Sequence, residues 1–320
     1  MDILQILYTI IPAALIAATP LIFTALGGLF SERSGVVNIG LEGLMVIGAF
    51  SGILATLWFE SMGLGYASPW IALLVAMLCG ALFSLFHAVA SITLRADQIV
   101  SGVALNFLAV GLAVFTVREI FDRGQTDYIS ARIFRTNVPF LSDIPIIGPM
   151  FFSRVYATTY IAIILAVVVW YVVFKTPFGL RLRSVGEHPM AADTMGIKVN
   201  RMRYIAVMLS GAFAGVGGAV FAITTSANFA GNTIVGQGFM ALAALIFGKW
   251  HPFGALGAAI FFGLAQALSL TGQQIPALSQ VPQVYLLIAP YVLTILALAG
   301  FVGKAHPPNA IGKPYEKGSR

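Results

Sequence analysis

Ser31–Gly48 reads SERSGVVNIGLEGLMVIG. It lies between two long apolar segments, yet it carries Glu32, Arg33, Asn38 and Glu42, and Gly35, Gly40, Gly43 and Gly48 interrupt it. In water such a stretch is a loop running into a helix. In a bilayer it needs a reason. Backbone loosened from a helix must find its hydrogen bonds inside protein or in a wet cavity. A carboxylate such as Glu42, just inside an apolar run, is also costly there.

The surrounding chain has the composition of a membrane protein. Of 320 residues, 59% are hydrophobic and 9% charged, and the mean hydropathy is +0.92. A globular domain carries about a quarter charged residues. At roughly 20 apolar residues per crossing, the expected fold is all-α and polytopic, a single transmembrane domain over residues 1–320 with about nine spans. They fall near Ile6–Leu29, Val37–Phe59, Pro69–Leu94, Gln98–Val117, Val155–Phe174, Tyr204–Thr224, Gly236–Gly248, Phe253–Thr271 and Val284–Val302. The seventh is short and bounded by glycines.

Lys and Arg set the orientation. The segment Lys175–Arg203 holds six of them and is placed in the cytoplasm. Alternation then puts thirteen of the eighteen basic residues inside, with the N-terminus outside and the C-terminus in the cytoplasm. Residues 119–154 become an extracellular loop, read as an amphipathic piece lying on the outer membrane face, with a docking or gating surface over an outward-facing cavity as the alternative. Residues 304–320 become a flexible cytoplasmic tail, polar and proline-bearing.

The opening stretch has a partner. Asn38–Met45 resembles Thr233–Met240: at one offset Ile39 meets Ile234, Glu42 meets Gln237, Gly43 meets Gly238 and Met45 meets Met240. Gly27-Gly28 similarly matches Gly217-Gly218, Leu85–Ala88 matches Leu264–Ala267, and Gln98 matches Gln283. An odd number of spans separates the copies, so spans 1–4 and 6–9 form an inverted repeat. Transporters built this way bring interrupted helices of the two halves together near the bilayer midplane.

Two constellations could carry function. Asn38, Glu42, Asn106, Asn232 and Gln237 are polar groups in or beside apolar spans. They could line a pathway for a hydrogen-bonding solute. They could equally tie helices together, with Glu42 paired to Arg33, since polar contacts between membrane helices are common and worth roughly 0.6–2 kcal/mol each. If they line a pathway, pairing Glu42 with the neutral Gln237 means polarity matters more than charge, and Glu42→Gln keeps much of its transport. The second constellation is the basic loop PFGLRLRSVGEHPMAADTMGIKVNRMR. Within it, Pro189–Gly196 reads as a short helix with proline in its first turn and a glycine stop. Ala191 and Ala192 give it a slim face that suits a groove on a soluble partner. A surface helix held at the headgroups by the flanking arginines is the alternative. His87 reads as a satisfied packing residue. No nucleophile–base set and no paired carboxylates appear at membrane depth, so the chain is not expected to be an enzyme, to need a cofactor or metal, or to bind nucleic acid. If ATP is used, another chain must bind it.

SERSGVVNIGLEGLM together with RSVGEHPMAADTMGIKV resembles the permease subunits of bacterial ABC importers in the branched-chain amino acid, simple sugar and nucleoside permease family. The likeness is greatest to guanosine-type nucleoside permeases served by a basic-membrane-protein lipoprotein. It implies a multi-pass protein of the bacterial cell membrane that works by alternating access. The implied partners are two ATP-binding subunits, a second, related permease and an extracellular substrate-binding lipoprotein. The family's coupling helix falls on Glu187–Ile197, so Glu187, Pro189, Ala191, Ala192, Gly196 and Ile197 would face the ATPase. Sugar permeases of the family often show an Asp-Leu-Ser motif near NIGLEG. This chain does not, which favours a nucleoside over a simple sugar or other small polar solute. An ion-coupled secondary transporter is the alternative from another class, with Glu42 as its candidate ion site.

Overall fold

A computed structural model describes residues 3–272, 275, 280–282, 284–286, 288, 292 and 306–317. The chain forms α1 (Ile3–Arg33), α2 (Leu41–Ser61), α3 (Ser68–Ala88), α4 (Gln98–Phe121), α5 (Ala157–Lys175), α6 (Pro177–Glu187), α7 (Pro189–Thr194), α8 (Val199–Phe221), α9 (Gln237–Phe247) and α10 (Pro252–Thr271). α3 and α8 each run on through one π-helical turn, Val89–Thr93 and Ala222–Ser226. Local chemistry sets several starts. The Asp97 carboxylate accepts from Ile99 N and Val100 N to cap α4, and Pro69, Pro177, Pro189 and Pro252 occupy first turns, where a missing N–H costs nothing.

Among the described residues, seven helices are long and apolar enough to cross a membrane. They answer expected spans one to six and eight. The expected seventh is α9, whose 11 residues reach about 16 Å, roughly half a hydrocarbon core. Most of the expected ninth span, and Gln283, lie outside the described residues.

The helix packing bears out the inverted repeat for spans 1–3 and 6–8, while most of the ninth span, the expected counterpart of α4, lies outside the described residues. The broadest interfaces join α3 to α8 and α1 to α10; α1 packs on α8 and α9, and α2 on α3 and α8. Exchanging α1 with α8, α2 with α9 and α3 with α10 maps these contacts onto one another. Small residues allow the close approach: a Cβ on Gly48 would fall 2.0 Å from Gly215 O, and one on Gly218 1.9 Å from Met45 O.

One end of the bundle gathers Arg33, Arg95, Arg203 and Lys249 and is called the basic end. The other carries the 119–154 loop. That loop does not merely rest on a surface. Glu60 at the end of α2 accepts from Ser130 N and Ala131 N, and two short strands, β1 (Arg135–Thr136) and β2 (Val155–Tyr156), pair antiparallel across it.

The tail also departs from expectation. Residues 306–317 are docked on the basic end rather than loose: Ala310 N donates to Gly186 O at 2.9 Å and Gly312 N to Gly35 O at 3.1 Å.

Candidate functional site

The first break, 34–40, is a buried climb. Ser34, Val36 and Asn38 have no exposed surface. Ser31 Oγ donates to Val36 O at 2.8 Å, and Val37 N donates to Gln98 Oε1 at 2.7 Å. His87 bridges Val37 O and Ser101 Oγ, both at 2.9 Å, and so is the satisfied packing residue expected of it. Asn38 Nδ2 donates to Ser210 Oγ at 2.9 Å. Ser210 lies eleven residues into α8, about 16 Å from its start. α2 therefore begins half-way along the bundle. Its first turn is held by Asn106, whose Oδ1 accepts from Gly43 N at 2.8 Å and whose Nδ2 donates to Ile39 O at 3.1 Å.

The second break runs from Ala227 to Gly236. It touches the 119–154 loop, where Thr126 N donates to Phe229 O and Phe229 N to Thr126 Oγ1, each at 2.9 Å. It then re-enters the bundle to Gly236 (φ +84), the left-handed residue from which α9 starts. Glu42 receives it there. Oε1 accepts from Gly236 N at 2.5 Å and Oε2 from Gly238 N at 2.6 Å. The carboxylate thus sits on the N-terminus of α9, where unpaired amides and the helix dipole favour negative charge. The approach is tight: a Cβ on Gly238 would lie 2.4 Å from Glu42 Cα.

The two matched stretches therefore meet directly, each helix start held by a side chain from elsewhere. Asn38, Glu42 and Asn106 make helix-to-helix contacts in this structure. Glu42 does not pair with Arg33 as one reading had it. Arg33 Nε donates to Trp250 O at 2.9 Å, and Glu32 accepts from Trp250 Nε1. Asn232 is exposed and Gln237 half-buried, its Oε1 accepting from Val235 N at 2.6 Å. Gly231 and Val235 are exposed beside them. Irregular backbone at membrane depth is tolerated only inside protein or against water, so the exposed residues of 231–236 need a partner protein surface or a wet cavity beside them.

The comparisons with known proteins agree with this architecture. A family model described as branched-chain amino acid transport system / permease component matches residues 10–298. The chain belongs to this permease family. It is 61% identical, over the full length of both chains, to the guanosine ABC transporter permease protein NupQ of Bacillus subtilis. It is 50% identical to the nucleoside ABC transporter permease protein NupC of Lactococcus lactis, covering 99% of each. A solved inward-facing structure, titled as an ABC transporter of metal-chelate type, covers 90% of this chain and 85% of its own at TM-score 0.50 and 17% identity, a likeness of fold. The permease is thus a multi-pass membrane subunit of an ABC transport system that has further subunits.

The basic end of the permease carries the other predicted residues. The expected helix over Pro189–Gly196 is α7, stopped at Gly196 with φ +82. Glu187 ends α6 and accepts from Asn309 Nδ2 at 2.9 Å. Ala191, Met195 and Gly196 are exposed, Met195 at 82%. Ala192 is buried, so the two alanines do not share the slim outer face expected of them. Ile197 is half-buried against the core.

Sequence reasoning missed the role of Arg203, which it read as a topological charge and, with Arg181, Arg183 and Arg201, as a headgroup anchor for the loop. The side chain is fully buried and donates to Ser34 O at 3.2 Å and Lys313 O at 3.0 Å. Its spacing in α8 carried a usable signal: Met202, Arg203, Ala206, Val207 and Ser210 are all buried on one stripe, and a cation on that stripe must find acceptors.

Proposed function

We propose that this permease carries nucleosides into the cell as half of an ATP-driven pathway, by alternating access. The observation that carries the reading is the exposed, non-helical stretch 231–236, anchored by Glu42 half-way along the bundle. Such backbone needs protein or water around it, and an exposed stretch carrying Asn232 at that depth fits a wet pathway. The two relatives described above, named for guanosine and nucleoside transport, supply the substrate class. Asn232 and Gln237 are the lining residues of choice, and Thr225 joins them as an exposed hydroxyl in the π-helical turn of α8 just before the break. Asn38, Glu42 and Asn106 shape that lining from behind.

In this reading the basic end faces the cytoplasm, in the bacterial cell membrane. Two ATP-binding subunits, which bind the nucleotide, dock on Met190, Ala191, Met195 and Gly196. A second permease completes the pathway, and an extracellular lipoprotein delivers solute at the 119–154 loop.

Cysteine labelling tests the lining. With Cys79 replaced by Ser, a cysteine at position 232 should react with a membrane-impermeant maleimide, and guanosine should slow the reaction severalfold. Reaction only with a lipid-soluble reagent, insensitive to guanosine, would place the stretch against lipid and end this assignment.

A further inference from the structure

The docked tail joins four elements that sequence reasoning kept apart. Gly186 at the end of α6 lies against the end of α1 and the first break: a Cβ there would fall 2.1 Å from Arg33 O and 3.3 Å from Gly35 N. Residues 309–313 close over that contact. Ala310 N donates to Gly186 O, Gly312 N to Gly35 O, and both Asn309 N and Nδ2 to Glu187 Oε2. The tail is shaped for this place. It makes its own turns, Ile311 N to Pro308 O and Lys313 N to Ala310 O, and Gly312 takes φ +75, which L side chains rarely adopt. Pro308, Ala310 and Tyr315 are buried.

Arg203 holds the underside. It donates to Ser34 O of the break and to Lys313 O of the tail, and its Nη2 lies 3.0 Å from where a Cβ on Gly35 would be. Further out, Arg95 after α3 pairs with Glu316 at 2.6 Å. An ion pair this exposed adds little stability. The buried backbone bonds and the Arg203 fork are what fix the segment.

We infer that residues 309–313 and Arg203 form a clasp that makes α6–α7 and the 34–40 break move as one body. The inference rests on α7 being the ATPase contact. A push on α7 then reaches Ser34 and Gly35 through Gly186, Glu187 and the clasp, and so reaches the start of α2, where Glu42 holds α9. Without the clasp, α7 can yield at His188 while the break stays still. Arg203 is a positioning residue in this account and touches no solute.

The test uses the whole transporter, reconstituted with its ATP-binding subunits, second permease and receptor. Gly312→Val, which cannot keep φ +75 without strain, and Arg203→Gln should leave the subunits co-purifying and ATP hydrolysis within about twofold of wild type. Guanosine moved per ATP hydrolysed should fall at least tenfold. Wild-type transport per ATP in Gly312→Val would overturn the clasp. Because Arg203→Gln sits in the core, a second measurement covers misfolding. A reducible bis-maleimide cross-link between cysteines at 95 and 316, formed in a Cys79→Ser background, should leave transport intact, since the clasp stays closed through the cycle. Transport lost on cross-linking and restored on reduction would show that the segment has to open, contrary to the inference. Ala191→Trp separates the underlying reading: if the ATP-binding subunits still dock on that variant, α7 is not their contact, whatever the clasp variants do.

Discussion

At the scale of single residues, Glu42 does something a neutral amide can do only by half. Its two oxygens each take one amide at the start of α9. A glutamine offers one oxygen and turns an NH2 toward the other donor. The sequence correspondence with Gln237 had suggested that charge was dispensable here, and the hydrogen bonds argue otherwise. Glu42→Ala strands one buried amide, at about 1–3 kcal/mol, and one half-buried amide beside it. It should therefore melt well below wild type in a thermal-unfolding assay of the detergent-solubilised protein. Glu42→Gln should fall between them. If all three melt together, the carboxylate does not cap α9. Asn232, exposed and without such a role, should behave in the opposite way: Asn232→Ala should leave the melting temperature unchanged and raise the guanosine concentration needed for half-maximal uptake several-fold. That one polar residue would cap a helix and another would stay open was not legible from residue type. Glu42 and its partners are 194 and 196 positions apart, and only the fold brings them together.

At the scale of elements, both broken helices were legible, because glycine and polar residues inside apolar runs have few physical excuses. The repeat pointed to α9 through Gly238 and its match Gly43, and both glycines sit where a Cβ would collide with a neighbouring helix backbone. Helix α7 was legible too, from Pro189 and Gly196. Its facing was not: two adjacent alanines point about 100° apart on a helix, and packing decides which is covered. The consequence is a paired prediction. Ala191→Trp should abolish co-purification of the ATP-binding subunits without lowering the melting temperature. Ala192→Trp should instead destabilise the permease itself, by about 1–3 kcal/mol, through overpacking. The docked tail was illegible for a different reason. A polar stretch with Pro307, Pro308 and Pro314 has the composition of a loose end. The Ala310, Gly312 and Lys313 contacts that dock it run through backbone groups, and every residue has those.

At the scale of the whole molecule, the exchange of α1 with α8, α2 with α9 and α3 with α10 gives the permease two copies of one design facing opposite ways. The two copies are not used alike in this structure. The first break is buried under His87, Gln98, Arg203 and the tail, whereas the second is open at Gly231, Asn232 and Val235. The open break is where solute would pass, and the buried one is where force from α7 would arrive. The account stands on the claim that ATP hydrolysed by partner subunits, and not an ion gradient acting at Glu42, drives solute through the permease. Uptake of radiolabelled guanosine into cells or vesicles holding the full transporter tests this most directly. The account predicts that uptake stops when the ATP-binding subunit is inactivated by mutation and persists, with ATP supplied, when an uncoupler collapses the proton gradient. Uptake that survives loss of the ATPase and disappears with the uncoupler would contradict it.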